Sequence, residues 1–230
     1  FQQAAGITLN VTHLNSTDDG IHTFFSGTFK ETSRFFLNDI FSVTVPLSIK
    51  FSGKNIAFIP KLGIRASFKY ADIMLNGYRM VQFPNMDDLY WGDSSYACGN
   101  PDLTPEYGWG AECTVNAHNI FIPFSICIFT NYYTNKIQWS SNSSGKWMPQ
   151  NVASAFYLGI DVSFEKTFFS VLTVKGNVEY LHNQLLDKSN KLTYGNRIMW
   201  TPDFVGSLIV SLNAKYVFIS VESNYVGKKY

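Results

Sequence analysis

The feature that most limits this chain is a period of two, sustained in several places over runs of ten residues or more. From Phe156 to Glu165, one side carries Phe156, Leu158, Ile160, Val162 and Phe164, and the other Tyr157, Gly159, Asp161, Ser163 and Glu165. From Glu106 to Ala117, Tyr107, Trp109, Ala111, Cys113, Val115 and Ala117 alternate with Glu106, Gly108, Gly110, Glu112, Thr114 and Asn116. Residues 172–183 repeat the pattern, and 44–51, 58–68 and 217–224 do so more briefly. A strand turns successive side chains to opposite faces, so each run becomes a ribbon with one apolar and one polar face. The chain reads as all-β and antiparallel.

Alternation alone also fits a soluble sandwich. Three features separate the two. Sandwich strands are typically about five or six residues long, whereas a tilted strand needs roughly nine to eleven to cross a bilayer. The links near His118-Asn119, Lys166-Thr167 and Ala214-Lys215 are tight, and those at Val81–Pro105, Ser140–Asn151 and Leu186–Asn196 are long and polar. That strict alternation of short turns and long loops is how outer-membrane barrels are connected. Trp91, Trp139, Trp147, Trp200, Tyr132 and Tyr133 fall near the long links, where an interfacial girdle would lie.

The expectation is an antiparallel transmembrane β-barrel whose apolar face meets outer-membrane lipid. Lys50, Lys61, Arg65, Glu112, Asp161, Glu165, Lys175, Glu179 and Glu222 would then line a lumen. So many charges need water or a polar plug, which makes the barrel wide. About eleven strands are expected, beginning near Ala5, Ser33, Val43, Ile56, Ile73, Glu106, Ile120, Val152, Phe169, Ile198 and Tyr216. An unclosed sheet leaves two edges, and each unpaired backbone group in hydrocarbon costs several kcal/mol. The first residue is Phe and no signal peptide follows. Residues 1–230 are therefore expected to be part of one larger barrel domain.

Composition removes other classes. Charged residues make up 15% of the chain and aromatics 17%, against about a quarter charged in average soluble domains. A net charge of +1 excludes the concentrated basic surface that nucleic acid requires. No run of eighteen apolar residues exists to make a transmembrane helix. Cys98, Cys113 and Cys127 form no metal or disulfide framework, and Cys113 and Cys127 alternate to opposite faces. Asn10, Asn15 and Asn142 open Asn-x-Ser/Thr triplets of the kind chance supplies in a chain rich in Asn and Ser. Catalysis finds no support: Gly-x-Ser-x-Gly, His-Glu-x-x-His and phosphate-loop motifs are absent. Glu106 and Glu112 would stand about 20 Å apart along a strand, too far to act as an acid/base pair. His13, His22, His118 and His182 are isolated, and Asp18-Asp19 reads as a solvated turn before Gly20 rather than a calcium site. No cofactor or metal is expected.

The longest link and its flanks read Tyr78-Arg79-Met80-Val81-Gln82-Phe83-Pro84, then Asp88-Leu89-Tyr90-Trp91, then Gly99-Asn100-Pro101-Asp102-Leu103-Thr104-Pro105-Glu106. This resembles the central stretch of TonB-dependent outer-membrane receptors: a Phe-Arg-Ala-Pro-type box, an Asn-Asp-Leu-Tyr segment and a Gly-Asn-Pro-Asp-Leu-x-Pro-Glu box. Arg79, Pro84, Leu89, Asn100, Pro101, Asp102, Leu103, Pro105 and Glu106 carry the match. Pro60-Lys61-Leu62-Gly63-Ile64, Trp147-Met148-Pro149-Gln150-Asn151-Val152 and Tyr225-Val226-Gly227-Lys228-Lys229-Tyr230 resemble other strands of the family, in order, over residues 33–230. The chain departs from the pattern where Met80-Val81-Gln82-Phe83 separates the Arg from the Pro.

The resemblance implies a 22-stranded barrel around an N-terminal plug and TonB-driven uptake of a ferric siderophore, cobalamin or haem. The plug, the TonB box and the first and last strands would lie outside this chain, so TonB would be reached only through the absent plug. Haem receptors of the family place a His between the two boxes, and residues 84–100 contain none. The Asp-Leu-Tyr-Trp segment looks more like the cobalamin branch.

Large nutrients are held by aromatic and polar loop residues that bury apolar area around a few directed hydrogen bonds. Tyr90, Trp91, Asp93 and Tyr96 are the first ligand candidates, with Trp139, Trp147 and Arg197 from two later loops. For Trp91 and Trp139, girdle anchoring is an equal alternative. A plug-less porin-type barrel with an inward-folded loop, and a secreted carbohydrate-binding sandwich, are the competing readings.

Overall fold

The computed structural model describes residues 1–16, 20–141, 144–186, 194–198 and 201–229. Among these residues eleven strands form one antiparallel sheet, each paired with its neighbours in sequence. They are β1 (Gln2–Ser16), β2 (Gly20–Phe36), β3 (Phe41–Ser52), β4 (Asn55–Ser67), β5 (Ala71–Gln82), β6 (Glu106–Ala117), β7 (Phe124–Ser141), β8 (Trp147–Phe168), β9 (Leu172–Leu185), β10 (Phe204–Ala214) and β11 (Val217–Val226). A short helix, α1 (Met86–Tyr90), interrupts the link between β5 and β6. Among the described residues no second sheet faces the first, which removes the sandwich reading. β1 and β11 are the sheet's two open edges.

Register puts like with like across the sheet. Ile49 faces Phe58, Ile64 faces Leu75, Val115 faces Ile126, Ile160 faces Tyr180 and Val210 faces Val221. These side chains share one face, and many are bare: Ile7 is 70% exposed, Ile56 73% and Trp109 61%. Each such side chain gains about 1.5–3 kcal/mol on leaving water, and soluble monomers rarely show a contiguous apolar area of this size. The face requires a hydrocarbon medium.

The other face is polar and internally paired. Lys61 bonds Glu112 at 3.3 Å, Arg65 bonds Asp72 at 2.6 Å, Lys175 bonds Glu165 at 3.1 Å, and Asn177 donates to Asp161 at 2.8 Å. Strand parity and register put Lys50, Glu179 and Glu222 on the same face. Cys113 and Cys127 lie on opposite faces of adjacent strands, and both are free thiols.

Two details differ from the sequence reading. First, the aromatic row on the apolar face is Trp109 beside Tyr132, Tyr132 beside Phe156, and Tyr180 beside Phe204, with the Phe204 and Tyr225 rings 5.8 Å apart. Tyr133 is not part of it. A strand cannot turn two consecutive rings the same way, and the Tyr133 hydroxyl donates to Met80 Sδ at 3.2 Å on the polar face. Trp200, Asn142, Asp18 and Asp19 lie outside the described residues.

Second, some boundaries move. β2 begins at Gly20 rather than Ser33, because Thr23, Gly27, Glu31 and Ser33 break its apolar face and hide the period. Most of the link expected at Ser140–Asn151 is strand: β7 continues to Ser141 and β8 resumes at Trp147. The links 37–40, 68–70, 118–123, 169–171 and 215–216 are all short and share one end of the sheet, the turn end. The long ones, 83–105 and 186–203, share the opposite, loop end. The expected strict alternation does not hold there: β1–β2 and β7–β8 are also joined by links of five residues or fewer, and Gly53-Lys54 is a tight turn with Gly53 in the left-handed region at φ +55°.

Candidate functional site

At the loop end, residues 83–105 form a folded cap. It starts with α1, which Asn85 caps. The Asn85 side chain accepts from the Asp88 N–H at 2.7 Å, and Asp88 Oδ2 accepts from the Asn85 N–H at 3.3 Å. Two otherwise orphaned amides are satisfied reciprocally. The other Asp88 oxygen accepts from Trp139 Nε1 at 3.1 Å, which ties α1 to β7. Leu89 and Leu103 are buried beneath the cap, and Pro84 and Pro105 flank them, also buried.

The Gly99–Glu106 box then fastens the cap to the β7–β8 extension. Asn100 Nδ2 donates to the Pro149 carbonyl at 3.0 Å, while its Oδ1 accepts from the Asp102 N–H at 3.1 Å. Its main-chain N–H reaches the Asp88 carbonyl at 2.8 Å. Asn151 clamps Thr104 from both sides, accepting from its N–H at 2.9 Å and donating to its carbonyl at 2.9 Å. Glu106 is 1% exposed; its carboxylate meets Lys136 Nζ at 2.9 Å and the Ile137 N–H at 2.9 Å. Cys98 N–H donates to the Trp147 carbonyl at 3.0 Å, and Trp147 N–H donates to the Tyr96 carbonyl at 2.8 Å. Pro101 and Asp102 are exposed, and Arg79 lies over the Tyr107 ring, its Nη1 donating to the Phe58 carbonyl at 3.0 Å. Asn100, Thr104 and Glu106 thus tie the end of the cap to β7 and β8, while Arg79 bonds only barrel strands.

That role is testable on its own. Replacing Asn100 with Ala removes the tie to Pro149 and should cost about 1–2 kcal/mol of local stability. Limited proteolysis of the whole receptor in detergent should cut within 83–105 several times faster than in the parent.

The ligand candidates divide into groups. Trp91 is 51% exposed, Tyr96 72% and Trp147 45%, and all three belong to one patch around the Ala97–Trp147 bridge. Asp93 and Lys146 are ion-paired on the same segments; the Asp93 carboxylate accepts from the ammonium and holds it above the ordinary lysine value. Trp139 stands behind this patch, edge-on to Trp91 at 6.1 Å. Its bond to Asp88 makes it a support for the cap rather than a girdle anchor.

Tyr90 turns the other way. Its ring stacks on His22 of β2 at 3.7 Å and meets Phe24 edge-on at 6.0 Å. The cap there encloses a cavity of about 320 Å³ with Ser52, Pro84 and Leu103 in its wall. Arg197 joins neither group; it bonds Asp203 at 3.0 Å and the Leu181 carbonyl at 3.3 Å. Sequence reasoning misses His22, Lys146 and Asn151 as parts of the cap. The Asn85–Asp88 spacing is a readable capping signal; His22 gives none, because it lies ahead of the start expected for β2.

Similarity to known proteins agrees with this architecture. An 84-residue stretch is 34% identical to the vitamin B12 transporter BtuB of Photobacterium profundum, covering 35% of this chain and 13% of that protein. The siderophore receptor PirA of Pseudomonas aeruginosa superposes with a TM-score of 0.72 at 15% identity, over 99% of this chain and 42% of its own. The ferric enterobactin receptor PfeA of the same organism gives 0.67 at 16% identity, over 91% and 33%. The chain therefore spans well under half the length of the relatives it matches. The model of the TonB-dependent receptor-like β-barrel matches residues 12–230. With the sheet, its two faces and the pinned cap in place, the chain belongs to the TonB-dependent receptor β-barrel family of the bacterial outer membrane.

Proposed function

We propose that this chain is part of one barrel domain of a receptor that captures a scarce nutrient, of the cobalamin or ferric-siderophore class, for TonB-dependent uptake. The apolar face contacts outer-membrane lipid. Lys61, Arg65, Glu112, Asp161, Lys175, Glu179 and Glu222 line the lumen. The plug that meets TonB, and the strands that close the ring, come from the rest of the receptor. The observation that carries the reading is the exposed patch of Trp91, Tyr96 and Trp147, held on a cap that is itself fastened to two strands. Rigid rings bury large area at small entropic cost, which suits a bulky ligand with apolar surface. The BtuB likeness favours a corrinoid, and the PirA and PfeA likenesses favour a ferric siderophore.

The test is direct titration of cyanocobalamin and of ferric siderophores against the whole receptor in detergent. One class should quench tryptophan fluorescence saturably. Trp91→Ala, Tyr96→Ala and Trp147→Ala should each weaken that ligand by about tenfold. Binding of neither class, or binding by all three variants as tight as the parent's, sinks the assignment.

The porin-type alternative has one observation in its favour: the cap folds across the polar face to reach His22. It predicts steady ion conductance in planar bilayers without TonB, and growth on the nutrient independent of TonB.

A further inference from the structure

At the turn end, three lysines lie against aromatic rings. Lys69 Nζ is 5.0 Å from the centre of the Tyr70 ring, Lys166 Nζ 5.1 Å from Phe121, and Lys215 Nζ 4.9 Å from Tyr216. The rings are open: Phe121 is 74% exposed and Tyr216 86%. Among the described residues none of these lysines has a carboxylate within ion-pair distance. The nearby acids are engaged elsewhere, Asp72 by Arg65 and Glu165 by Lys175, which leaves Asp39 as an opposing charge. The loop end is different. There Lys136, Lys146 and Arg197 each meet a carboxylate, whereas among the described residues Lys54 and Lys229 have none within ion-pair distance.

The turn between β8 and β9 adds a second observation. Phe169 and Ser170 both sit in the left-handed region, at φ +53° and +59°. A turn whose two central residues both have this hand favours Asn-Gly at them, and a bulky residue there is strained. The Phe169 ring receives no compensation from the fold, being 91% exposed. Strain that nothing inside the molecule offsets points to a contact outside it.

We infer that the turn end is a collar that gathers anionic phospholipid headgroups in the leaflet it faces. The inference rests on the proposal that these strands cross the outer membrane. The rings sit at the boundary between headgroups and acyl chains, where aromatic side chains partition. The lysine stems run along them and hold the ammonium at phosphate level. The unpaired positive charge selects lipids of net negative charge over zwitterionic ones. Each lysine near an anionic surface contributes about fivefold to that partition.

The test uses the whole receptor in nanodiscs of phosphatidylethanolamine containing a minority of phosphatidylglycerol. Native mass spectrometry reads the lipids retained. The parent should retain phosphatidylglycerol at about tenfold or more over its bulk share, declining as salt rises. Joint replacement of Lys69, Lys166 and Lys215 by Gln should abolish the enrichment, and joint replacement by Arg should keep it. No enrichment in the parent, or enrichment unchanged in the Gln variant, overturns the inference while the membrane reading stands. Failure of the receptor to enter the bilayer overturns both. Capture of a periplasmic protein by the parent with no lipid preference assigns the collar to that partner and likewise overturns it.

Discussion

Glu106→Ala should destabilise the barrel by about 3–5 kcal/mol. The carboxylate is 1% exposed and holds both the Lys136 ammonium and the Ile137 N–H. Truncation strands a mostly buried cation and an amide together. Glu106→Gln keeps an acceptor for the Ile137 N–H and nearly the same shape, so its loss should be clearly smaller. Thermal melts of the whole receptor in detergent, followed by circular dichroism, give the comparison. Equal melting of parent and Glu106→Ala would show that the pair does not hold β6 to β7. The effect should also reach the ligand site, because Glu106 anchors the strand into which the cap runs.

Gly99→Ala should act on the cap alone, and almost as strongly. A Cβ at this position would lie 2.6 Å from the Trp91 nitrogen and 2.7 Å from the Leu89 carbonyl group. These are main-chain atoms, so no rotamer change can relieve the clash. Overpacking of this kind costs about 1–3 kcal/mol, and here it falls on the turn that presents Trp91. Ligand affinity should drop ten- to a hundredfold while the melting temperature of the barrel shifts by only a few degrees. A variant that binds like the parent would show that the cap's fold is not what positions the aromatic patch.

These two residues mark what the sequence discloses and what it withholds. Gly99 and Glu106 are legible as parts of a motif, but the motif carries no geometry. Glu106 reads as one more polar residue in an alternating run, and nothing local says that it is buried against Lys136, thirty positions on. The sheet is legible because a membrane strand has an apolar medium on one side, which imposes a period of two on it. Where a strand leaves that medium, the pattern lapses although the backbone pairing continues. That is why Ser140, Ser141 and Trp147 read as loop and are strand. It is also why β2, with Thr23, Gly27, Glu31 and Ser33 on its apolar face, starts well ahead of where its period becomes visible.

The ligand candidates are partly legible for the same reason. Trp91, Tyr96 and Trp147 fall in long polar stretches, where large rings have no core to fill. Their convergence depends on the parallel bridge between Ala97 and Trp147, which joins segments fifty residues apart and has no local signature. Tyr90 and Arg197 carry equally suggestive side chains, yet the fold gives one to His22 and the other to Asp203.

The strand order itself carries a consequence for assembly. Because every ribbon lies beside its predecessor along the polypeptide, each new hairpin can zip onto the last without waiting for a distant segment. Chain-closure entropy stays small throughout such growth. From β2 to β11, no strand of the sheet has to wait for a partner more than one hairpin away.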